Sequence, residues 1–488
     1  MNTSPYITGL HLPRSRRKAR SSQEVLADKL EQLKLKSFSQ LGDCFGSFIP
    51  DQFLRPARSG PMSRQRLFSK KNTFWAFFSQ VLDSDGGCKE AVRKLQASVA
   101  MKLKSVPSSS TAAYCKARKK LELPMLESIY QHLSEHLKTG ASTEHLNGRR
   151  IIVVDGTGVS MPDTAENQKK WPQLKSQKPG CGFPQAFICA CFNLNNGALL
   201  SYEMGDKKSH ELPMLREQWS TFKEGDIFLG DKGFCSYFDQ SNLKDRGVDS
   251  IITLARRTPV SEAEAVKVMG QNDLLIHWIK PKRNKRSSYS QEGWEALPET
   301  LPLRQIKVIV RQQGFRTKSF YIITTLLDAK AYPASELAEV YFQRWDVELF
   351  FRDIKTTMGM DVLRCKTPDM VCKEILMHLI VYNCIRALIA EAVKGGATKT
   401  RRISFKGSIQ ALRKWEPYLN QTEISRQEQN RLILLLYASI AGNIVVERPG
   451  RSEPRAVKRR PKNHQLLNKP RHEMNPIPHR SKYQAENP

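Results

Sequence analysis

Arg149–Gly158 reads RRIIVVDGTG, and the character of the chain changes there. Four branched apolar residues in a row, closed by Asp-Gly, predict a strand buried on both faces, because side chains alternate across a strand and neither face here is polar. Upstream the spacing is different. From about Gln23 to Leu137 apolar residues recur at helical intervals in TFWAFFSQVL, CKEAVRKLQASVAMKL, STAAYCKARKKL and PMLESIYQHLSEHL, with no strand signal among them. The polar joint TGASTEHLNG divides the two regimes and predicts an all-helical N-terminal domain over 1–146. Within it, the turn SVPSSS between two basic helices carrying Arg93, Lys94, Lys102, Lys116, Arg118, Lys119 and Lys120 reads either as a helix-turn-helix-like DNA-binding unit or as a solvated face.

Downstream, strands PQAFICACFN and GALLSYEM, helix HELPMLREQW, strand DIFLG, helix SYFDQSNLKDRG and strand DSIITLA alternate as in a mixed α/β domain. Residues 257–318 turn irregular, with an exposed basic loop PKRNKRSSYSQEG and the strand LRQIKVIVRQ, and predict a β-rich insertion. The mixed α/β domain is therefore expected over 147–256 plus 319–400, followed by a helical region over 401–446. The tail, 447–488, carries from Arg448 onward 11 Lys or Arg and 7 Pro against 3 Glu, which cannot build a core. It is expected to lie extended along DNA or a partner subunit.

At 488 residues the chain is too long for one core, and 78 Lys plus Arg against 48 Asp plus Glu leave it at +30. So large an excess points to a polyanionic partner, without separating DNA from RNA. The 10 Cys are scattered and no signal-peptide pattern precedes them, which fits a reducing cytoplasm better than a disulfide framework. Cys181, Cys189 and Cys191 contain no CxxC pair, so they read as core residues rather than zinc ligands. The longest apolar run, Ile375 to Val393, includes His378, Asn383, Arg386 and Glu391 and reads as a buried helix, not a membrane span. The basic start PRSRRKAR reads as a DNA-binding arm.

Asp155 closes the apolar run IIVVDGTG and Asp231 closes DIFLGDKGF. Carboxylates at the ends of strands in one sheet can share a cleft, where they repel unless a cation lies between them, although Asp-Gly is also an ordinary turn signal. The segment Tyr341–Lys355, YFQRWDVELFFRDIK, adds a third carboxylate. On a helix advancing about 100° per residue, Tyr341, Arg344, Glu348 and Lys355 fall within roughly 60° of one another, beside an apolar side of Val340, Val347, Phe350, Phe351 and Ile354. The plain alternative is a surface helix laced by an Arg344–Glu348 pair, worth about 0.3–0.5 kcal/mol.

Asp155 in VVDGTG, Asp231 in LGDKGF, and Tyr341, Arg344, Glu348 and Lys355 separated by two, three and six residues together resemble the DDE transposases of the insertion-sequence-four family. FWAFFSQVL, STAAYCKARKKL, YEMGDKKSHELPML and the tail extend that resemblance over nearly the whole chain. The resemblance implies a ribonuclease-H-like mixed sheet interrupted by the β-rich insertion, with Asp155, Asp231 and Glu348 as catalytic ligands of two Mg²⁺ ions, for which Mn²⁺ could substitute. It further implies that Tyr341, Arg344 and Lys355 contact DNA phosphates, with Arg256 a looser match to another basic position. Phe320 stands where better-known members carry a Trp that stacks on a flipped base of a hairpin, and it reads equally well as a strand residue facing the core. The implied function is cut-and-paste transposition by a homodimer on double-stranded transposon ends and target DNA, in the bacterial cytoplasm at the nucleoid. A metal-dependent nuclease and a DNA-binding descendant that no longer cuts are the alternatives.

Overall fold

A computed structural model of the chain describes residues 45–446 and 466–475, apart from short breaks at 46–47, 64–65, 84, 104–105, 139–144, 207–209, 256–258, 284–288, 311–317, 397 and 420–424. The N-terminal part is helical: α1 (Lys70–Leu82), α2 (Cys88–Leu103), α3 (Ala112–Lys119) and α4 (Leu123–Lys138). The Ser69 hydroxyl caps α1 by accepting from the Asn72 amide, and every position from Asn72 to Leu82 is buried, as a helix apolar on all sides requires. Two of the basic residues expected on the surface of α2 and α3 turn inward instead. Arg118 donates to Gln80 Oε1 at 2.9 Å, and Lys94 bridges Asp83 and Glu416 at 3.0 and 2.8 Å.

Beyond the joint, nine strands among the described residues form one mixed sheet: β1 (Ile151–Ser160), β2 (Gln185–Asn193), β3 (Leu199–Asp206), β4 (Ile227–Gly230), β5 (Asp249–Thr253), β6 (Lys267–Gly270), β7 (Asp273–Ile279), β8 (Thr300–Val310) and β9 (Lys318–Thr324). Their order is β3-β2-β1-β4-β5-β9-β8-β7-β6. The hairpin β1–β2 and its neighbour β3 are antiparallel, whereas β1, β4 and β5 run parallel. Strands β6 to β8 extend this same sheet through β9, which pairs with β5 on one side and β8 on the other, so no backbone edge is left open between them. Short helices α5 (Ala165–Lys170), α6 (Glu211–Arg216), α7 (Tyr237–Asp245) and α8 (Gln291–Glu295) connect the strands.

The remaining helices are α9 (Ala334–Gln343), α10 (Asp346–Arg352), α11 (Pro368–Ala392), α12 (Phe405–Leu419) and α13 (Arg426–Ala441). α11 holds the apolar run and is buried at almost every position from Met370 to Ile389. Its polar residues are all engaged. Asn383 clamps the Leu199 amide and carbonyl at 2.9 and 2.8 Å, and Arg386 donates to Asp353 at 3.0 Å. The described part of the tail rests on the chain itself. Leu467 and Arg471 donate through their amides to the Cys181 and Gly180 carbonyls, and the Arg471 guanidinium binds Asp163 and the Gly182 carbonyl. Over 466–475 the tail thus docks on the loop between β1 and β2; the rest of it lies outside the described residues.

Candidate active site

Asp155 lies inside β1, not at its end, because β1 continues as a hairpin partner of β2 as far as Ser160 opposite Gln185. What ends near Asp155 is the parallel ladder to β4. Val153 pairs with Leu229 in that ladder, so two further steps along each strand reach Asp155 and Asp231 together. Each carboxylate is steadied by the backbone just after it: the Gly156 amide donates to Asp155 Oδ1 at 2.8 Å, and the Gly233 amide to Asp231 Oδ1 at 2.7 Å. Gly156 is required by space. A Cβ there would stand 2.3 Å from the Phe187 ring and 2.5 Å from Glu211 Oε1.

The helix expected over 341–355 is broken into three pieces. α9 ends at Gln343, the amides of Arg344 and Val347 bond three residues back, and a π-helical turn spans Asp353–Thr357. The tight turn and the wide turn still bring Tyr341, Arg344 and Lys355 against strand residues of the sheet. Arg344 is buried with Nη1 3.9 Å from Asp155 Oδ2, its plane lies over the Trp345 ring at 4.5 Å, and its Nε is buried with no hydrogen-bond partner among the described residues. The Tyr341 hydroxyl bonds Thr253 Oγ1 on β5. Lys355 Nζ donates to Thr157 Oγ1 at 3.0 Å and to the Gly158 carbonyl at 2.8 Å, which leaves one of its three N–H groups for a further acceptor. Burial lowers its pKa. Glu348 is exposed on α10, and its charge is felt at Asp155.

Phe320, on β9, lies half-buried with its ring 5.3 Å from Tyr341 and 6.0 Å from Phe342, beside the motif helix. Arg256 lies outside the described residues. Cys189 and Cys191 are buried on β2 and Cys181 is buried in the loop before it.

One carboxylate at this place was not singled out in the sequence. Glu211, the first residue of α6, sits between the two Asp turns: its Oε1 approaches Gly156 as above, and its Oε2 would meet a Cβ on Gly233 at 3.1 Å. The stretch SHELPML carried no periodic or spacing signal for it, because α6 meets the two Asp turns only in the folded chain. Burial first, then repulsion between neighbours, raises the pKa values of Asp155 and Glu211; Asp231 repels both. Among the described residues no three His, Cys, Asp or Glu side chains are gathered tightly enough to hold an ion as they stand. The donor set nevertheless suits a hard divalent cation: oxygen ligands only, crowded where the β1–β4 ladder ends and unfavourable to one another when ionised.

A raised carboxylate pKa in the folded state means that the fold binds more protons than the unfolded chain, so stability falls as pH rises through the raised value. Below the ordinary carboxylate range the penalty is absent. Glu211→Gln is therefore expected to melt at a higher temperature than the parent at pH 8 without metal, with the difference closing toward pH 4. Thermal melts in chelator across that range check this; a difference independent of pH would assign it to packing.

Residues 146–384 match the family model of a transposase DDE domain. Over 347 residues, 70% of this chain and 75% of the relative, the chain is 23% identical to transposase InsG of insertion sequence element IS4 from Escherichia coli (strain K12). A shorter stretch of 81 residues, 17% of this chain and 22% of the relative, is 27% identical to the transposase of insertion sequence element IS421 from Escherichia coli. Among solved structures it is similar to a piggyBac transposase in a synaptic complex with hairpin DNA, with a TM-score of 0.43 and 12% identity over 84% of this chain and 86% of that one.

Proposed function

This chain belongs to the DDE transposases of the insertion-sequence-four family, and from that premise we propose that it performs cut-and-paste transposition with Asp155, Asp231 and Glu348 as the ligands of two divalent ions, Mg²⁺ in the cell. The observation that carries the assignment of residues is the shared register of Asp155 and Asp231, with the buried, unpartnered Nε of Arg344 beside them. Bound ions would supply an activated oxygen nucleophile and neutralise charge on the leaving oxygen. The chain's own groups do the rest. Arg344 adds a guanidinium charge beside Asp155, Lys355 offers its remaining donor to a phosphate, and Tyr341 can accept or donate at the same edge, contacts that position DNA without reading its sequence. Glu211 crowds the carboxylates, which favours a bound cation over the empty arrangement.

The order β3-β2-β1-β4-β5, with its antiparallel hairpin beside parallel strands, supports a ribonuclease-H-like catalytic domain over 147–256 and 319–400, with 257–318 as its insertion. In this reading a homodimer synapses two inverted-repeat ends and then captures target DNA, in the bacterial cytoplasm at the nucleoid. Mg²⁺-dependent nicking of a duplex carrying a transposon end is the test. A protein that binds such ends but never cuts in Mg²⁺ or Mn²⁺ would make the DNA-binding descendant the better reading.

Phe320 is proposed to stack on a base during hairpin formation, since it borders Tyr341 at the motif helix. Phe320→Ala should then slow hairpin formation more than first-strand nicking, by a step worth about 1–3 kcal/mol, and Phe320→Trp should be tolerated or faster. Single-turnover assays resolve the two steps. Equal slowing of both by Phe320→Ala would make it a packing residue for Tyr341.

A further inference from the structure

Between α9, α10 and the start of α12 lies a groove of about 650 Å³. Arg352 of α10 and Arg401, Arg402 and Lys406, from the segment entering α12, line it. Of the two carboxylates in its wall, Asp353 is already bonded to Arg386 at 3.0 Å, which leaves Asp346 against the cations of Arg352, Arg401 and Lys406. Arg352, Arg401 and Lys406 are exposed. Arg401 spends one N–H on Gln343 at 2.5 Å, and its other donors are available to a ligand with several acceptors. All of the lining residues fall between Phe342 and Val445, so the helical N-terminal part contributes none.

Given the catalytic reading above, on which this inference rests, we propose that the groove holds the sugar-phosphate backbone of the DNA flanking the transposon end, within a few nucleotides of the cut phosphate. Position supports it. Arg352 follows Glu348 by one helical turn, roughly 6 Å along the axis and on the same side of α10, so the Arg352 end of the groove borders the proposed third ligand. Chemistry supports it too. Flanking sequence differs at every insertion site, so a useful contact must be blind to bases, and cationic side chains on phosphates carry no sequence information.

The test is a salt series of binding without divalent ions, so that nothing is cut, on three DNAs: an end with its flank, the same end precleaved, and an end-free duplex as target. For the flanked end, Arg352→Ala and Lys406→Ala should each lower the log-log salt slope by about 0.9, and the triple variant with Arg401→Ala by about three times that, whereas the precleaved end should keep the parental slope. Equal losses on both ends would place the transposon side of the cut in the groove. A loss confined to the end-free duplex would make it a target site, and unchanged slopes would remove DNA from it; each result overturns the proposal. Circular dichroism of the two single variants, both at exposed positions, guards against misfolding. A parallel Mg²⁺ nicking assay separates the premises: a groove effect in a protein that never cuts would sink the catalytic reading alone, and robust cutting with parental slopes would sink the groove alone.

Discussion

Glu348→Gln is expected to lower Mg²⁺-dependent nicking of an end-containing duplex on the order of 10³-fold or more, a loss of about 4 kcal/mol of transition-state stabilisation, while binding of the same DNA persists or tightens. The substitution keeps shape and removes charge. Glu348 is exposed on α10, so its loss opens no cavity, and one negative charge fewer beside DNA phosphates relieves repulsion. Asp155→Asn and Asp231→Asn should behave alike, and any pair should add little to one alone, because ligands of shared ions act as a unit. The two Asp variants carry a further signature. Either removes repulsion at the end of the β1–β4 ladder, so the metal-free protein should melt higher than the parent at pH 8. Nicking and gel-shift assays on one substrate decide the matter: parental cutting by all three single variants would disprove the assignment of the triad.

Arg304→Ala should destabilise the protein by about 3–5 kcal/mol, a large share of the 5–15 kcal/mol typical of a domain. The Arg304 side chain is fully buried on β8. It grips both oxygens of Asp273 on β7 at 3.2 and 2.5 Å, and its Nη1 donates to the carbonyls of Leu326 and Tyr332 at 3.0 and 2.8 Å. Truncation strands the Asp273 carboxylate in the core and leaves those carbonyls, in the loop that leads from β9 into α9, without a donor. Arg304→Lys should fare little better, since a single ammonium cannot fork to a carboxylate and reach two carbonyls as well. Replacing both partners, Arg304→Met with Asp273→Leu, should recover much of the loss. Urea unfolding of the parent, Arg304→Met, Asp273→Leu and the double variant gives the coupling, and the same measurement on Arg304→Ala and Arg304→Lys gives their costs. A cost below about 1 kcal/mol for Arg304→Ala would mean that water reaches Asp273 and the pair is not closed.

Residues adjacent in sequence determined much of this protein by themselves. The run IIVV is a strand in any buried setting, TFWAFF at helical spacing is a core helix, and the spacing of Tyr341, Arg344, Glu348 and Lys355 marks the motif before any contact is known. These are local signals, set by side-chain periodicity and by the order of chemical groups. Tertiary structure decided the rest. That Asp155 lies within β1 depends on the length of β2, thirty residues on; that β6 to β8 join the sheet depends on β9 having two open edges; and that Arg118 and Lys94 are structural depends on Gln80, Asp83 and Glu416. Arg471 clasps the loop at Gly180 and Gly182 from nearly three hundred residues away. Glu211 shows the difference most directly. Its identity is plain in the sequence, but its closeness to Asp155 and Asp231 is a distance between three separate segments, and only the packed sheet sets that distance.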